Sequence, residues 1–319
     1  MDYSKAIDRL IARQLRDWDV AERNYAALGR VSVRTLSLDG CAVVLQHNPE
    51  RRRSVTARVD KRSLASRKCF LCAANQPARQ RAILWGDHYK IQVNPYPIFK
   101  RHLTIADMQH VPQRLSGRVG DMVRLAHDMP GFVVLYNGPQ CGASAPDHAH
   151  FQAAGKGEMP LCDEVLHATT HLLADSDEGF IGYVNSLCRS LFIIETNTVR
   201  AAERYTLRLL DLLPAPGAGM EPLVNLLCCW DGTDHVWRII VFPRSKHRPS
   251  CYGEREGQLL LSPASAEMGG VWAIPTEKDY NNLTANQVQA LYDELCLSRD
   301  ELEPILKGYS QRWDNTLPL

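Results

Sequence analysis

The stretch Asn137-Gly-Pro-Gln-Cys-Gly-Ala-Ser-Ala-Pro-Asp-His-Ala-His-Phe-Gln152 decides how this chain is read. It leaves an apolar segment, 132–136, that suits a buried strand. It then passes through a turn rich in glycine, alanine, serine and proline, whose backbone N–H groups can cradle an anion. An alternating run follows, in which His148, His150 and Gln152 fall on one face of a strand and Ala149 and Phe151 on the other. Burying three polar side chains on one face is costly unless a charged ligand or a metal satisfies them. A polar strand facing water is the alternative. Two histidines directly after an anion-binding turn point instead to chemistry at phosphorus. A neutral imidazole nitrogen is a nucleophile at neutral pH, and the phosphoramidate it forms is reactive enough to be turned over. Such a nucleophile needs its other nitrogen held by an acceptor. The neighbouring Gln152 amide can donate to a phosphoryl oxygen without giving up a proton.

Working outward, the hydrophobic periodicity predicts helices over 4–28, 115–126, 160–175 and 199–213, and a helical tail from Thr284, its N-cap. Strands are expected over 31–36, 42–46, 89–93, 102–105, 132–136, 191–194, 223–230 and 236–242. Asp39-Gly40 and Asp231-Gly232 read as hairpin turns, so the pairing is antiparallel and the fold class is α+β. Segments 102–110 and 237–247 share a strand-turn-histidine shape, a weak sign of internal duplication.

The 319 residues are 45% hydrophobic and 23% charged with a net charge of +1, which gives ample material for a core. That balance excludes a disordered or fibrous chain and argues against a dedicated binder of nucleic acid or acidic membranes. No apolar stretch is long enough to span a bilayer, and the N-terminus has no signal-like apolar region, so a cytoplasmic location is expected. The ten cysteines show no disulfide-framework rhythm, and most are expected to be reduced and buried. Only Cys69 and Cys72 stand at a metal-binding spacing. Two thiolates do not complete a four-ligand site, and a buried thiol pair is the alternative.

The Gly-Ala-Ser-x-Pro turn at 142–146 followed by His-x-His-x-Gln at 148–152 resembles the histidine-triad superfamily. The likeness is to the branch that holds galactose-1-phosphate uridylyltransferases, diadenosine tetraphosphate phosphorylases and GDP-hexose phosphorylases, and within it to a bacterial group. Gln46-His-Asn-Pro-Glu-Arg51 resembles the basic substrate-binding segment of the GDP-L-galactose phosphorylases. Met159-Pro160, Tyr252, Ser262-Pro263, 269–272 and Asp279-Tyr280 echo them further, so that some 230 residues are covered at low identity outside the motifs.

The resemblance implies a duplicated histidine-triad-like fold, an antiparallel sheet with flanking helices. Residues 1–175 would form the half with the catalytic strand, and 176–319 a degenerate half completing the sheet and the pocket. It implies a nucleotidyltransferase of phosphorylase type acting on an NDP-sugar, GDP-hexose first, or on a dinucleoside polyphosphate. Inorganic phosphate or a sugar phosphate would be the acceptor; a nucleotide-binding module without catalysis is the alternative. His150 would be the nucleophile that takes up the nucleoside monophosphate, with Gln152 and His148 beside it. Glutamine at 152, where hydrolases of the superfamily carry histidine, favours transfer over hydrolysis. Asn94 would meet the ribose, Asn137, Gly142, Ala143 and Ser144 the phosphates, and Arg51 the leaving phosphate. Asp147 lengthens the turn by one residue relative to the family pattern. Cys69, Cys72, His110 and His148 would close a structural zinc site, with no organic cofactor. The chain would be a monomer or a homodimer.

Overall fold

The computed structural model describes residues 2–311. At the N-terminus the single expected helix is two, Ser4–Asp17 and Asp19–Leu28, because the backbone turns extended at Trp18 (φ −130°, ψ 101°). The break lets the Trp18 ring sink into the protein, where it is 5% exposed. The strands are β1 (Ser32–Leu38), β2 (Cys41–His47), β3 (Ala82–Trp85), β4 (Tyr89–Val93), β5 (His102–Asp107), β6 (Phe132–Asn137) and β7 (His150–Gly155). They continue with β8 (Thr170–Ser176), β9 (Gly179–Val184), β10 (Leu191–Thr196), β11 (Val224–Asp231), β12 (Val236–Pro243) and β13 (Val271–Ile274). Both expected hairpins form, β1–β2 around Gly40 at φ 75° and β11–β12 after Trp230.

Ten strands make one antiparallel sheet in the order β3-β4-β5-β7-β6-β11-β12-β10-β9-β8. Its two halves have the same topology: β3-β4-β5-β7-β6 repeats as β8-β9-β10-β12-β11, and β6 pairs with β11 at the join. A helix follows the third strand of each half, Val119–Asp128 in the first and Val199–Leu212 in the second. The fold class is thus as expected, α+β with a duplicated antiparallel sheet. The alignment of the repeat differs from the one the sequence offered. Segment 102–110 begins with β5, whose counterpart is β10, whereas 237–247 lies on β12, the counterpart of β7. The expected helix over 160–175 is also corrected. Only Leu161–Glu164 is α-helical, and 170–176 is the edge strand β8, because Thr170–Ser176 finds ladder partners along β9.

Each face of the sheet is covered, so its central strands are apolar on both sides. On one face Tyr136, Phe151, Val134 and Ala153 join the two long helices in a single core. On the other, Val133, Leu135, Ala154 and Ile240 pack against a small sheet, β1-β2-β13, and the helix Ala285–Leu295. That helix starts at Thr284, whose hydroxyl accepts the Gln287 N–H as expected of a cap. Cys41 and Cys188, expected as reduced thiols, are joined by a disulfide that ties the small sheet to the second half. No helix among the described residues is long and apolar enough to cross a membrane.

Candidate active site

Strand alternation places Gln152 and His150 on the face of β7 that looks toward the small sheet, and cross-strand pairing adds His102 and Leu135 to that face. An open cavity lies there, with about 580 Å³ of non-protein space including solvent at its mouth. Its walls include Gln152, Asn137, Gly142, Ser144 and Arg51 from the expected set, together with His102, Ser54, Ser262 and Glu267. His150 opens β7, is 5% exposed and is not among the wall residues. Its Nδ1 lies 2.8 Å from the His148 carbonyl, which can only accept, so Nδ1 carries the hydrogen and Nε2 keeps its lone pair. Among the described residues Nε2 has no hydrogen-bond partner. Burial pushes the imidazole down to about 4, although the His148 carbonyl opposes this, so the ring is neutral near pH 7.

Gln152 is held by His102, to which the sequence reading gave no role in the site. The Ile98 N–H donates to His102 Nδ1 at 3.1 Å, which leaves the hydrogen of His102 on Nε2. Nε2 then donates to Gln152 Oε1 at 2.8 Å. With its oxygen taken, Gln152 has its NH₂ group left for a ligand. Burial, followed by the charge of Arg51, drives His102 down to about 3 and keeps it neutral for this task. The signal lay in the pairing of His102 with Ala154, beside Gln152, which only the strand register discloses.

The turn 138–147 is built around close approaches. Gly142 has φ 87°, and a Cβ there would collide with Ala264. Asn137 Oδ1 accepts from Asn225 Nδ2 and from the Ser265 N–H, both at 2.8 Å, which directs its remaining amide hydrogens toward the cavity. Asn225 is in turn fixed by the buried Arg244 at 2.5 Å. Ala143 lies within the turn, 2% exposed, and is not among the wall residues.

Of the three successive arginines at 51–53, only Arg51 reaches the cavity. Arg52 pairs with Glu254 at the surface, and Arg53 donates to the Tyr96 hydroxyl. Arg51 Nη1 donates to the Tyr96 carbonyl at 2.7 Å, while its Nε is buried without a protein partner. An oxygen brought to that N–H by a ligand would recover roughly 1–3 kcal/mol of desolvation. Asn94 stands behind the wall, its Nδ2 3.5 Å from Nε2 of His102. Its Oδ1 accepts the Tyr96 N–H at 2.9 Å and it does not line the cavity.

At the other end of the same strand face, Cys69, Cys72, His110 and His148 bring one ligand atom each within 4.8 Å of one another. Nδ1 of His148 is 3.4 Å from Cys69 Sγ and 3.6 Å from Cys72 Sγ, and Nδ1 of His110 is 3.2 Å from Cys72 Sγ. Ligand atoms around a tetrahedral zinc stand about 3.3–3.8 Å apart, so the donor set and spacing fit. The His148 ring also has the right tautomer, and His110 has the right orientation. His148 Nε2 donates to the Asp107 carbonyl at 2.8 Å, and His110 Nε2 faces Asp147 at 3.6 Å, leaving both Nδ1 atoms toward the sulfurs. Asp147, read from the sequence as an extra residue in the turn, also accepts from Arg67 at 3.0 Å. The cluster can hold a metal.

The duplicated antiparallel sheet is a fold that solved proteins share. Residues 10–155 match the family model described as a domain of unknown function, DUF4922. Among solved structures, the chain is similar to yeast Ap4A phosphorylase Apa2. The complex of that enzyme with AMP gives a TM-score of 0.63 at 16% identity, over 93% of this chain and 98% of that one. Its complex with Ap4A gives 0.55 at 15% identity, over 90% and 97%. No curated protein matches the sequence.

Proposed function

We propose that this chain is a nucleotidyltransferase of phosphorylase type that works through a nucleotidyl-His150 intermediate. The observation that carries the reading is the His150 imidazole itself, neutral, with Nδ1–H anchored on the His148 carbonyl and the Nε2 lone pair free. In the first step Nε2 attacks the α-phosphorus of the donor, an N–P bond forms, and the P–O bond to the leaving phosphate breaks. The ring, still holding its Nδ1 hydrogen, becomes cationic against the His148 carbonyl. In the second step an oxygen of inorganic phosphate or a sugar phosphate attacks the same phosphorus, and the N–P bond breaks to restore His150. The Gln152 amide, with the N–H groups of 142–144 and the Asn137 side chain, stabilises the equatorial oxygens. Arg51 would take the leaving phosphate. Asn94 offers a ribose oxygen only its Nδ2.

An NDP-sugar is the favoured donor. The charged groups in the cavity wall are one arginine, Arg51, and one carboxylate, Glu267, among the hydroxyls of Ser54, Ser144, Ser262 and Ser265. That balance suits a pyrophosphate joined to a hydroxyl-rich sugar better than a tetraphosphate, which asks for more cations. The likeness of 46–51 to GDP-hexose phosphorylases puts GDP-hexose first. The second reading, phosphorolysis of diadenosine tetraphosphate, is supported by the fold shared with yeast Apa2. Intact-mass spectrometry after incubation with GDP-, UDP- and ADP-sugars and diadenosine tetraphosphate tests both. A nucleotidyl adduct is expected, largest with a GDP-sugar, and lost on adding phosphate. No adduct with any donor would leave only a nucleotide-binding module.

His102→Phe should slow transfer about 10–100-fold while donor affinity changes little, because the Gln152 amide loses its orientation and not its presence. Equal falls in affinity and rate would count against that role.

Zinc is the metal we infer for the Cys69, Cys72, His110 and His148 cluster. Bound there it would be closed off by four protein ligands and would stabilise the strand that leads into His150. Elemental analysis should find about one zinc per chain. Asp147→Ala should weaken retention against a chelator about tenfold by freeing His110. Purified protein without metal would remove the zinc claim and leave the catalytic one standing.

A further inference from the structure

Around His150 the two neighbours of β7 behave differently. The ladder to β5 runs through the Ala106–His150 pair, and the Asp107 N–H goes on to donate to Ala149 at 2.9 Å. The ladder to β6 stops at the Leu135–Gln152 pair. Continued in register, it would pair His150 with Asn137. The side chain of Gln113 occupies that place instead. Its Oε1 accepts the His150 N–H at 2.7 Å, and its Nε2 donates to the carbonyls of His150 and Asn137, both at 2.9 Å. Gln113 is 2% exposed, and its own N–H is fixed on the Pro146 carbonyl at 3.1 Å.

A carboxamide has the donor and acceptor of a peptide group, so it can stand between two strands and satisfy backbone groups that would otherwise be left unpaired. We propose that Gln113 is a positioning residue for His150, a wedge that holds β7 apart from β6 where the nucleophile sits and the turn 138–147 leaves the sheet. This rests on the reading of His150 as the nucleophile. Without the wedge, the His150 N–H would be free to close on the Asn137 carbonyl. The strand would then draw in, carrying with it the His148 carbonyl that anchors the imidazole. The segment 110–113 is bonded to two successive residues, Ala149 and His150, since the Val111 carbonyl accepts the Ala149 N–H at 2.7 Å. His110 of the metal cluster opens that segment and Gln113 ends it.

Gln113→Met keeps the length and removes the three side-chain hydrogen bonds, whereas Gln113→Glu keeps the acceptor for the His150 N–H and loses the donors. Three quantities are measured on each full-length chain: the single-turnover rate of adduct formation, the equilibrium affinity for the donor, and amide exchange along β7. Q113M should slow adduct formation about 10–100-fold with donor affinity held within about threefold. Exchange at His150 should quicken while Phe151 and Ala153, which pair with β5, stay protected. Q113E should keep more of the His150 protection than Q113M. An unchanged rate with a freed His150 amide would overturn the proposal. So would a uniform loss of rate, affinity and protection along all of β7, which marks a general support of the fold. No adduct on the unsubstituted chain overturns it through the reading beneath it, and this case is told apart by the missing signal before any substitution.

Discussion

His150→Gln should abolish nucleotidyl transfer, by about 10⁴-fold or more, while leaving the fold and donor binding nearly intact. The expected loss is large because neither neighbouring histidine has a ring nitrogen to spare. His148 turns its Nδ1 to the sulfurs and its Nε2 to the Asp107 carbonyl, and His102 spends both nitrogens on Ile98 and Gln152. The expected sparing of the fold follows from what His150 does structurally. Its side chain makes one hydrogen bond, to the His148 carbonyl, and a glutamine amide can donate there too. Its backbone bonds to Gln113 do not depend on the side chain. Intact mass should show no adduct, and thermal melting should shift by no more than about 2 °C. Adduct formation at the original rate would transfer the nucleophile's role to another residue.

Removing the Cys41–Cys188 disulfide should cost the most stability of any single change outside the metal cluster. The bridge spans 147 residues of sequence, and both cysteines are buried, at 8% and 5% exposure. Closing so long a loop constrains the unfolded chain by about 3–5 kcal/mol in the chain-entropy account. For a protein of this size that is a fall of about 5–10 °C in Tm. The effect should extend to the cavity. Arg189 lies against Cys188 Sγ at 2.7 Å and donates from Nε to the Met268 carbonyl at 2.6 Å, next to Glu267 of the cavity wall. Melting curves with and without reductant, on the unsubstituted chain and on the Cys41→Ala, Cys188→Ala double variant, give the test. The reductant should lower Tm in the first and leave the second unmoved. Equal Tm values throughout would show that the bridge adds no stability.

By itself the sequence determined what short-range physics can write. Alternation at 148–152 put His148, His150 and Gln152 on one face, hairpin turns at Gly40 and Gly232 signalled antiparallel pairing, and helical periodicity located the helix Val199–Leu212 to within a residue. The spacing of Cys69 and Cys72 raised a metal, and the resemblance named the two histidines that the fold brings to them. These features rest on neighbours within a few residues, where side-chain direction follows from backbone period alone. Tertiary structure decided everything that depends on register between distant strands. His102 meets Gln152 because β5 pairs with β7, and Gln113 meets His150 from a loop 37 residues away because the β6–β7 ladder opens there. Cys41 reaches Cys188 because the small sheet lies across the second half of the large one, and 170–176 became a strand because β9 offered it partners. Arg51 was separated from Arg52 and Arg53 in the same way, by which of three adjacent side chains the packing turned inward. A hydrogen bond is specified by two partners, and a chain read one position at a time displays only one of them. His150, the proposed nucleophile, was therefore legible as a candidate, and the groups that orient it were not.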